Sequence, residues 1–436
     1  MTTMSDLPQD LTKEIFSRVP LTSLSAVRST CKSWNSISKS QVLCESAARR
    51  KQFLGFMMKD FSVCSMKFDL QGIQNEADFV DPSIKQVSVL DQVEISQIFQ
   101  CEGLLLCVTR DKSRLLMWNP YLGQTRCIQP RNTFLSGDQY ALGYDKNRKH
   151  KILRILGDCK SGYMVLGYEI FDLSANTWKV SNDNRDWQID HYQRGVSLKG
   201  HTYFLAKEKI RIGGTNNNID CILSFDFTTE RFRKLLPLPF KSHYSNKLLL
   251  SCVREEQLAV LHYNWVMGQA LEIWVTKKID PGEVSWSKFL RFTSSCIGHI
   301  IPGSFFVDEE KKVVVVVDQD YNRRIVTGRN QSAHILGPDR YFKSVNIGET
   351  RYIGKRSKHG YMISELCRPR VCSSYVPSSV QLQTNQPVKS EETISSSLYT
   401  FHHPSIDEYN DHVRAVGFTV LQISNILVDT RPGFSN

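Results

Sequence analysis

The chain has 436 residues, 41% of them hydrophobic, and a formal net charge of +11. That apolar content can bury substantial cores, which excludes bulk disorder, and the length leaves room for two or three ordinary domains or for one small module beside one large domain. The opening MTTMSDLPQD has neither the basic start nor the apolar core of a secretory leader, and the longest apolar run, VVVVV at 313–317, is far below the ~18–20 residues of a membrane span. A soluble intracellular protein is expected, in the cytoplasm, the nucleus or both, with no membrane partner.

Twelve cysteines are scattered without a C-x-x-C pair or a following histidine pair at zinc spacing, so they read as small buried hydrophobes of a reducing compartment. The positive charge permits attraction to acidic partners. Its two basic runs, RRK at 49–51 and KNRKHK at 146–151, lack interleaved stacking aromatics and read as solvated faces, so no nucleic-acid partner is expected.

In chain order, the first element is an amphipathic helix. Leu7, Leu11, Ile15 and Val19 recur at steps of four, Pro8 suits a first turn, and Pro20 ends the helix. A second helix carries Leu24, Val27, Cys31 and Trp34 on one face, and a third is predicted over QVLCESAARRK at 41–51. Three helices in so short a span make a marginal core on their own, so their apolar residues are available to a partner as well as to each other.

From about residue 53 the helical period gives way to short β-rich runs separated by turn residues. Four segments resemble one another: LLMWNPYLGQTRCI, YEIFDLSANTWKV, ILSFDFTTERFRKL and LEIWVTKKIDPGEVSWSKF. Their first aromatics, Trp118, Phe171, Phe225 and Trp274, are spaced at about 50 residues, the period of propeller blades. These aromatics read as packing between blades, and the span 53–372 accommodates roughly six such units. Gly213-Gly214 is a lone pair of adjacent glycines inside GGTNNN, so true kelch repeats are not indicated. Residues 373–436, rich in Ser, Gln, Pro and Thr, read as a flexible tail; within them HVRAVGFTVLQISNILV has no assigned place.

The N-terminal pattern LP-x-DL-x-x-EIFSRVP-x-x-SL-x-x-VRSTCKSWNSI resembles an F-box, the motif that docks on a Skp-type adaptor in cullin-based ubiquitin ligases. The resemblance covers residues 5–44, with Phe16 where the family more often has Leu, and sets the module at 1–48. It implies that Leu7, Pro8, Leu11, Ile15, Val19, Pro20, Leu24, Val27, Cys31 and Trp34 form the module's core and adaptor face, with Lys32 at its rim. The segments EGLLLCV, LLMWNPYLGQTR, ALGYD, YEIFDLSANTWK, GVSLKGHTYFLA and ILSFDFTTERF resemble the F-box-associated domain of plant F-box proteins over about residues 100–320. The implied architecture is a small all-α module, a β-propeller-like domain and a tail.

No enzyme motif survives inspection. GETRYIGKR at 348–356 has the wrong glycine spacing for a P-loop, and G-x-S-x-G and H-E-x-x-H are absent. His402-His403 sits in the polar tail, and Asp308, Glu309 and Glu310 read as a turn between strands. No catalytic residue, cofactor or metal is therefore expected. The resemblance implies a substrate receptor of an SCF-type ligase that binds an adaptor, through it a cullin scaffold, and an unidentified protein target. The alternatives are an interaction protein that binds the adaptor without delivering targets, and an enzyme built on a propeller. Candidate target-binding loops are 181–194 and 211–220; in the first, Trp187 and Tyr192 read either as binding aromatics or, at least as readily, as packing against a neighbouring blade.

Overall fold

The computed structural model describes Pro8, Asp10, Leu11, Ile15, Arg28 and residues 32–38. It also describes residues 53–382, except for 71–78, 91, 133–136, 159–163, 182–186, 191–192, 213–214, 242–245, 265–269, 281, 294–299, 319–328, 351–353, 357–361, 365–368 and 374. In the N-terminal part, Asp10, Leu11, Ile15 and Arg28 are helical and Lys32–Ser38 forms a continuous helix, α1. The predicted third helix over 41–51 and the tail beyond 382 lie outside the described residues.

Among the described residues the β region forms six antiparallel sheets arranged as propeller blades, with a separate short hairpin of Gly354–Arg356 and Met362–Ser364. Blade 2 runs Ile95–Cys101, Leu104–Thr109, Leu115–Asn119, Gln124–Ile128 from the inside outwards. Blade 3 runs Gln139–Tyr144, His150–Asp158, Met164–Asp172, Thr177–Ser181. Blade 4 is built on the long hairpin His201–Ile212 and Thr215–Asp226, with Val196–Leu198 and Trp187–Gln188 sharing its inner edge. Blade 5 comprises Asn246–Val253, Gln257–Asn264, Ala270–Asp280 and Glu283–Thr293. Blade 6 comprises Pro302–Asp308, Val313–Asp318, Arg329–Leu336 and Phe342–Thr350.

Blade 1 takes three strands from the start of the domain, Phe53–Lys59, Ser62–Asp69 and Val80–Gln86, and its inner strand from the end, Arg370–Cys372. The register pairs Phe56 with Cys372 and Met58 with Arg370. The inner strands neighbour one another around a common axis, so the ring is closed. Closure removes the exposed sheet edge that an open stack of blades would offer to other chains.

Each blade is sandwiched between two others, so its second strand is covered on both faces and loses polar alternation. Leu104–Thr109 is buried throughout, as are the five valines of Val313–Asp318, whereas the outer Thr177–Ser181 keeps no buried side chain. Apolar clusters fill the seams. One joins Leu106 and Met117 to Leu142 and Phe171 between blades 2 and 3, and another joins Leu153 and Ile170 to Phe204 and Phe225 between blades 3 and 4. Equivalent clusters lie between blades 4 and 5, 5 and 6, 6 and 1, and 1 and 2.

In the first three repeats the aromatic sits one residue from the end of the third strand, whereas Trp274 lies in the middle of its strand. Trp118, Phe171 and Phe225 are buried in seams, and Trp274 is half-buried with Lys288 4.7 Å above its ring. The following Asn or Asp closes the next turn. Asn119 accepts from the Leu122 amide at 3.0 Å, Asp172 from the Ser174 and Ala175 amides at 2.8 and 3.0 Å, and Asp226 from the Thr228 amide at 2.8 Å. These are Asx-type turns, which explains why the polar residue recurs after the aromatic. Phe68-Asp69 ends the third strand of blade 1 and extends the same pattern, with Phe68 buried against Phe306 at 5.3 Å.

The chain does not turn into a free tail at residue 373. Tyr375 and Leu382 are buried in the seams flanking blade 2, and Asn119 Nδ2 donates to the carbonyls of Ser378 and Val380 at 2.9 and 2.8 Å. Its serine content resembles a tail, yet its two large apolar side chains and the blade 2 amide hold SSYVPSSVQL in place.

Candidate functional site

The helical module presents apolar residues to solvent. Leu11 and Ile15 lie one helical turn apart, on one face, and are 53% and 36% exposed. Ile37 on α1 is buried, Trp34 is half-buried, and Pro8 and Lys32 are exposed. The remaining residues assigned to the module's core and adaptor face, Leu7, Val19, Pro20, Leu24, Val27 and Cys31, lie outside the described residues.

Among the described residues, Arg28 ties the module to the propeller. The Arg28 guanidinium sits 5.3 Å from the centre of the Tyr121 ring, in the turn after the third strand of blade 2. Burial pulls the Arg28 pKa down, while Tyr121 and Tyr375 act in the opposite sense; an arginine remains charged under either influence. In antiparallel blades the turns after the inner and third strands share one face, which is therefore the face that carries the module. Its turns are short: Glu102-Gly103, Lys199-Gly200 and Arg254-Glu255 each have two successive positive φ angles. At Glu102-Gly103 and Lys199-Gly200 this is the twist-matched geometry of two-residue hairpins, and Arg254-Glu255 belongs to a three-residue loop between Val253 and Gln257. Gly103 is required there, because a Cβ would meet the Val376 carbonyl at 2.1 Å.

Ion pairs on this face link neighbouring blades. Arg148 pairs with Glu102 between blades 3 and 2, Arg254 with Glu310 at 3.2 Å between blades 5 and 6, and Lys151 with Glu230 at 2.8 Å between blades 3 and 4. The basic run at 146–151 is thus divided. Residues 146–149 form an exposed turn, whereas His150 and Lys151 are buried.

The axis holds a cavity of about 70 Å³ lined by Gln100, Arg194, Ser251, Cys252, Glu255 and Arg370 among others. That is room for waters rather than for a metabolite-sized ligand. Glu255 accepts from Gln100 Nε2 at 3.2 Å. Burial, aided by the nearby Glu102 charge, pushes its carboxyl up to about 7 against the opposing hydrogen bond from Gln100. Burial also pushes the thiols up, Cys64 to about 11 and Cys107, Cys221 and Cys252 to about 12, so these are weak nucleophiles.

The opposite face is formed by the other strand ends, where Ile212 meets Thr215, Asn264 approaches Ala270, and Asp318 and Arg329 flank a connection of ten residues. The two candidate target-binding segments belong to this side, in altered form. Trp187 is buried and meets Phe232 at a tilt with ring centres 4.6 Å apart, so it packs a seam and offers no binding ring. Residues 215–220 belong to a strand and, with 211–212, form the end of the blade 4 hairpin, with Ile219 exposed; Tyr192 lies outside the described residues. Arg28 is in register with the F-box pattern but had no assigned role in the sequence, and Tyr121 and Tyr375 carried no local signal. The signal available was a charged residue on the apolar face of a short helix, which needs a partner of its own.

The described residues thus form a six-bladed propeller joined to a small helical module with exposed apolar residues. Comparison with known families agrees: residues 4–46 match the F-box domain and residues 54–382 match the F-box associated beta propeller domain. The chain belongs to the F-box proteins that carry this propeller. It is 56% identical over 399 residues to F-box/kelch-repeat protein At3g13680 of Arabidopsis thaliana, covering 90% of this chain and all of that one. It is 54% identical over 395 residues to putative F-box protein At3g13624 of the same plant, again covering 90% and 100%. Among solved structures, YjhT is similar at a TM-score of 0.39 and 9% identity over 65% of this chain and all of that one.

Proposed function

We propose that the protein is the substrate receptor of an SCF-type ubiquitin ligase. The helical module docks on a Skp-type adaptor, and through it on a cullin scaffold, while the propeller holds a protein target. The observation that carries this reading is the combination, in one chain, of an F-box match with exposed Leu11 and Ile15 on one helical face and a closed propeller. Helix-in-groove docking uses such i, i+4 apolar anchors. Burying four side chains of this kind is worth on the order of 6–12 kcal/mol before the costs of association are subtracted.

The protein itself makes and breaks no covalent bond. It raises the effective concentration of target lysines near a ubiquitin-charged enzyme, a gain set by the geometry of the linkage. The target binds on the face remote from the module, where the turns beside Arg28 do not obstruct it. The site of action is the cytoplasm, the nucleus or both.

The test compares proteins captured by the parent with those captured by a Leu11→Asp, Ile15→Asp variant in an extract supplied with the ligase components. The receptor reading expects the same proteins on both, ubiquitinated only with the parent. Ubiquitination indifferent to the substitutions would refute it.

A further inference from the structure

We infer that Arg28 is a positioning residue: seated on the Tyr121 ring beside Tyr375, it fixes the helical module at one orientation on the propeller. The consequence for presenting a target rests on the receptor reading above; the joint itself does not. Between α1 and the first strand of blade 1 lie residues 39–52, whose fully extended reach is roughly 45–50 Å. Across that interval of the chain, the contact of Arg28 with Tyr121 joins the module directly to the propeller.

The seat is rigid, and three separate parts of the domain build it. Tyr121 is 1% exposed, in a turn held by Gly123 donating to the Asn119 carbonyl at 2.8 Å and by Leu122 donating to the Asn119 side chain at 3.0 Å. The same Asn119 grips the segment after the closing strand through Ser378 and Val380. Tyr375 of that segment meets Phe56 of blade 1 edge-on at 4.9 Å, and Phe56 meets Trp118 of blade 2 at 5.1 Å. The module therefore rests where the first blade, the second blade and the chain's return after ring closure come together. Orientation of the module and closure of the ring share one set of contacts. A guanidinium over an aromatic face, partly withdrawn from water, supplies both attraction and direction.

The experiment places fluorophores by non-natural amino acids at Ser36, exposed on α1, and at Lys277, exposed on blade 5, and records single-molecule energy transfer in the full chain with and without a Skp-type adaptor. The parent should show one narrow population. Arg28→Ala and, from the other side, Tyr121→Leu should each raise the undocked fraction by roughly 5- to 30-fold, as expected for losing a contact of one to two kilocalories. The double variant should be no worse than either alone, and Arg28→Lys should recover part of the docked population. Adaptor retention should match the parent throughout. A distribution unchanged by Arg28→Ala and Tyr121→Leu overturns the inference, and so does loss of adaptor binding on Arg28→Ala, which would assign Arg28 to the module's own fold. Failure of the parent to bind adaptor would instead count against the receptor reading, since the energy transfer of the free chain still reads the joint.

Discussion

Arg154 lies in the second strand of blade 3, inside the apolar run HKILRIL, and is 1% exposed. It donates to Asp138 Oδ2 at 2.6 and 2.9 Å and to Glu169 Oε2 at 3.1 Å, and Arg131 reaches Glu169 Oε1 at 2.9 Å. Two cations and two carboxylates thus neutralise each other in blade 3 and bind the 131–138 connection to the blade. Removing one member strands buried charge. Arg154→Met is expected to cost about 3–5 kcal/mol in urea unfolding, whereas Arg131→Ala, on the half-exposed rim, should cost about 1 kcal/mol or less. Glu255 gives a prediction of opposite sign. Its carboxyl titrates near 7 in the folded protein, well above the unfolded value, so the fold binds this proton more tightly. Its favourable contribution is complete below the unfolded pKa and is lost as pH rises to about 7 and beyond. Glu255→Gln should therefore raise stability at pH 8, by on the order of 1–3 kcal/mol, and leave it nearly unchanged at about pH 4. Chemical denaturation at the two pH values reads the difference.

Individual blades depend on the turn that follows each repeated aromatic. Burial raises the Asp172 pKa, but the Ser174 hydroxyl and the amides of Ser174 and Ala175 outweigh it, and the carboxyl ends below its ordinary value. Asp226 behaves alike, with Arg233, Thr228 and Thr229 prevailing over burial. Carboxyls held down in this way stabilise the fold above the unfolded pKa and lose that effect as pH falls through the folded one. Asp172→Ala should cost about 1–2 kcal/mol at pH 7, and the difference from the parent should shrink towards pH 3 in thermal melts. The repeat was legible from sequence because aromatic, Asx and turn recur together, and each part has a local physical cause. Phe68-Asp69 escaped notice because the inner strand of its blade comes from residues 370–372, so the first blade has no complete unit in the sequence. Trp187 could not be decided between binding and packing for a related reason: it sits between turn-forming residues, but blade 4 borrows it as a second inner strand and buries it against Phe232. Polar surroundings in sequence do not reveal what a distant strand will cover.

At the scale of the whole molecule, the ring is closed by three residues, Arg370–Cys372, and by the segment to Leu382 that locks onto Asn119 and Gln124. Truncation after residue 369 should leave blade 1 without its inner strand, replace the cooperative melt with a broad one, and promote association through the exposed edge. Light scattering and calorimetry would register both. The propeller class could be read from a period of about 50 residues, and the helical module from its apolar steps and family pattern. The closing strand, the strap to Leu382 and the seat of Arg28 could not, because each is a long-range pairing with no local periodicity. Target recognition is equally silent, since the strand ends opposite the module are free of the spacing constraints that shape the seams.

On the receptor reading, this chain joins an adaptor to whatever its propeller holds. The most direct measurement is the affinity of the purified full chain for a Skp-type adaptor, alongside the Leu11→Asp, Ile15→Asp variant, with circular dichroism confirming an intact β domain in both. Tight binding by the parent, weakened at least about 100-fold in the variant, is the predicted result for two buried apolar anchors. A well-folded parent that does not bind the adaptor, or a variant that binds as well as the parent, would contradict the account.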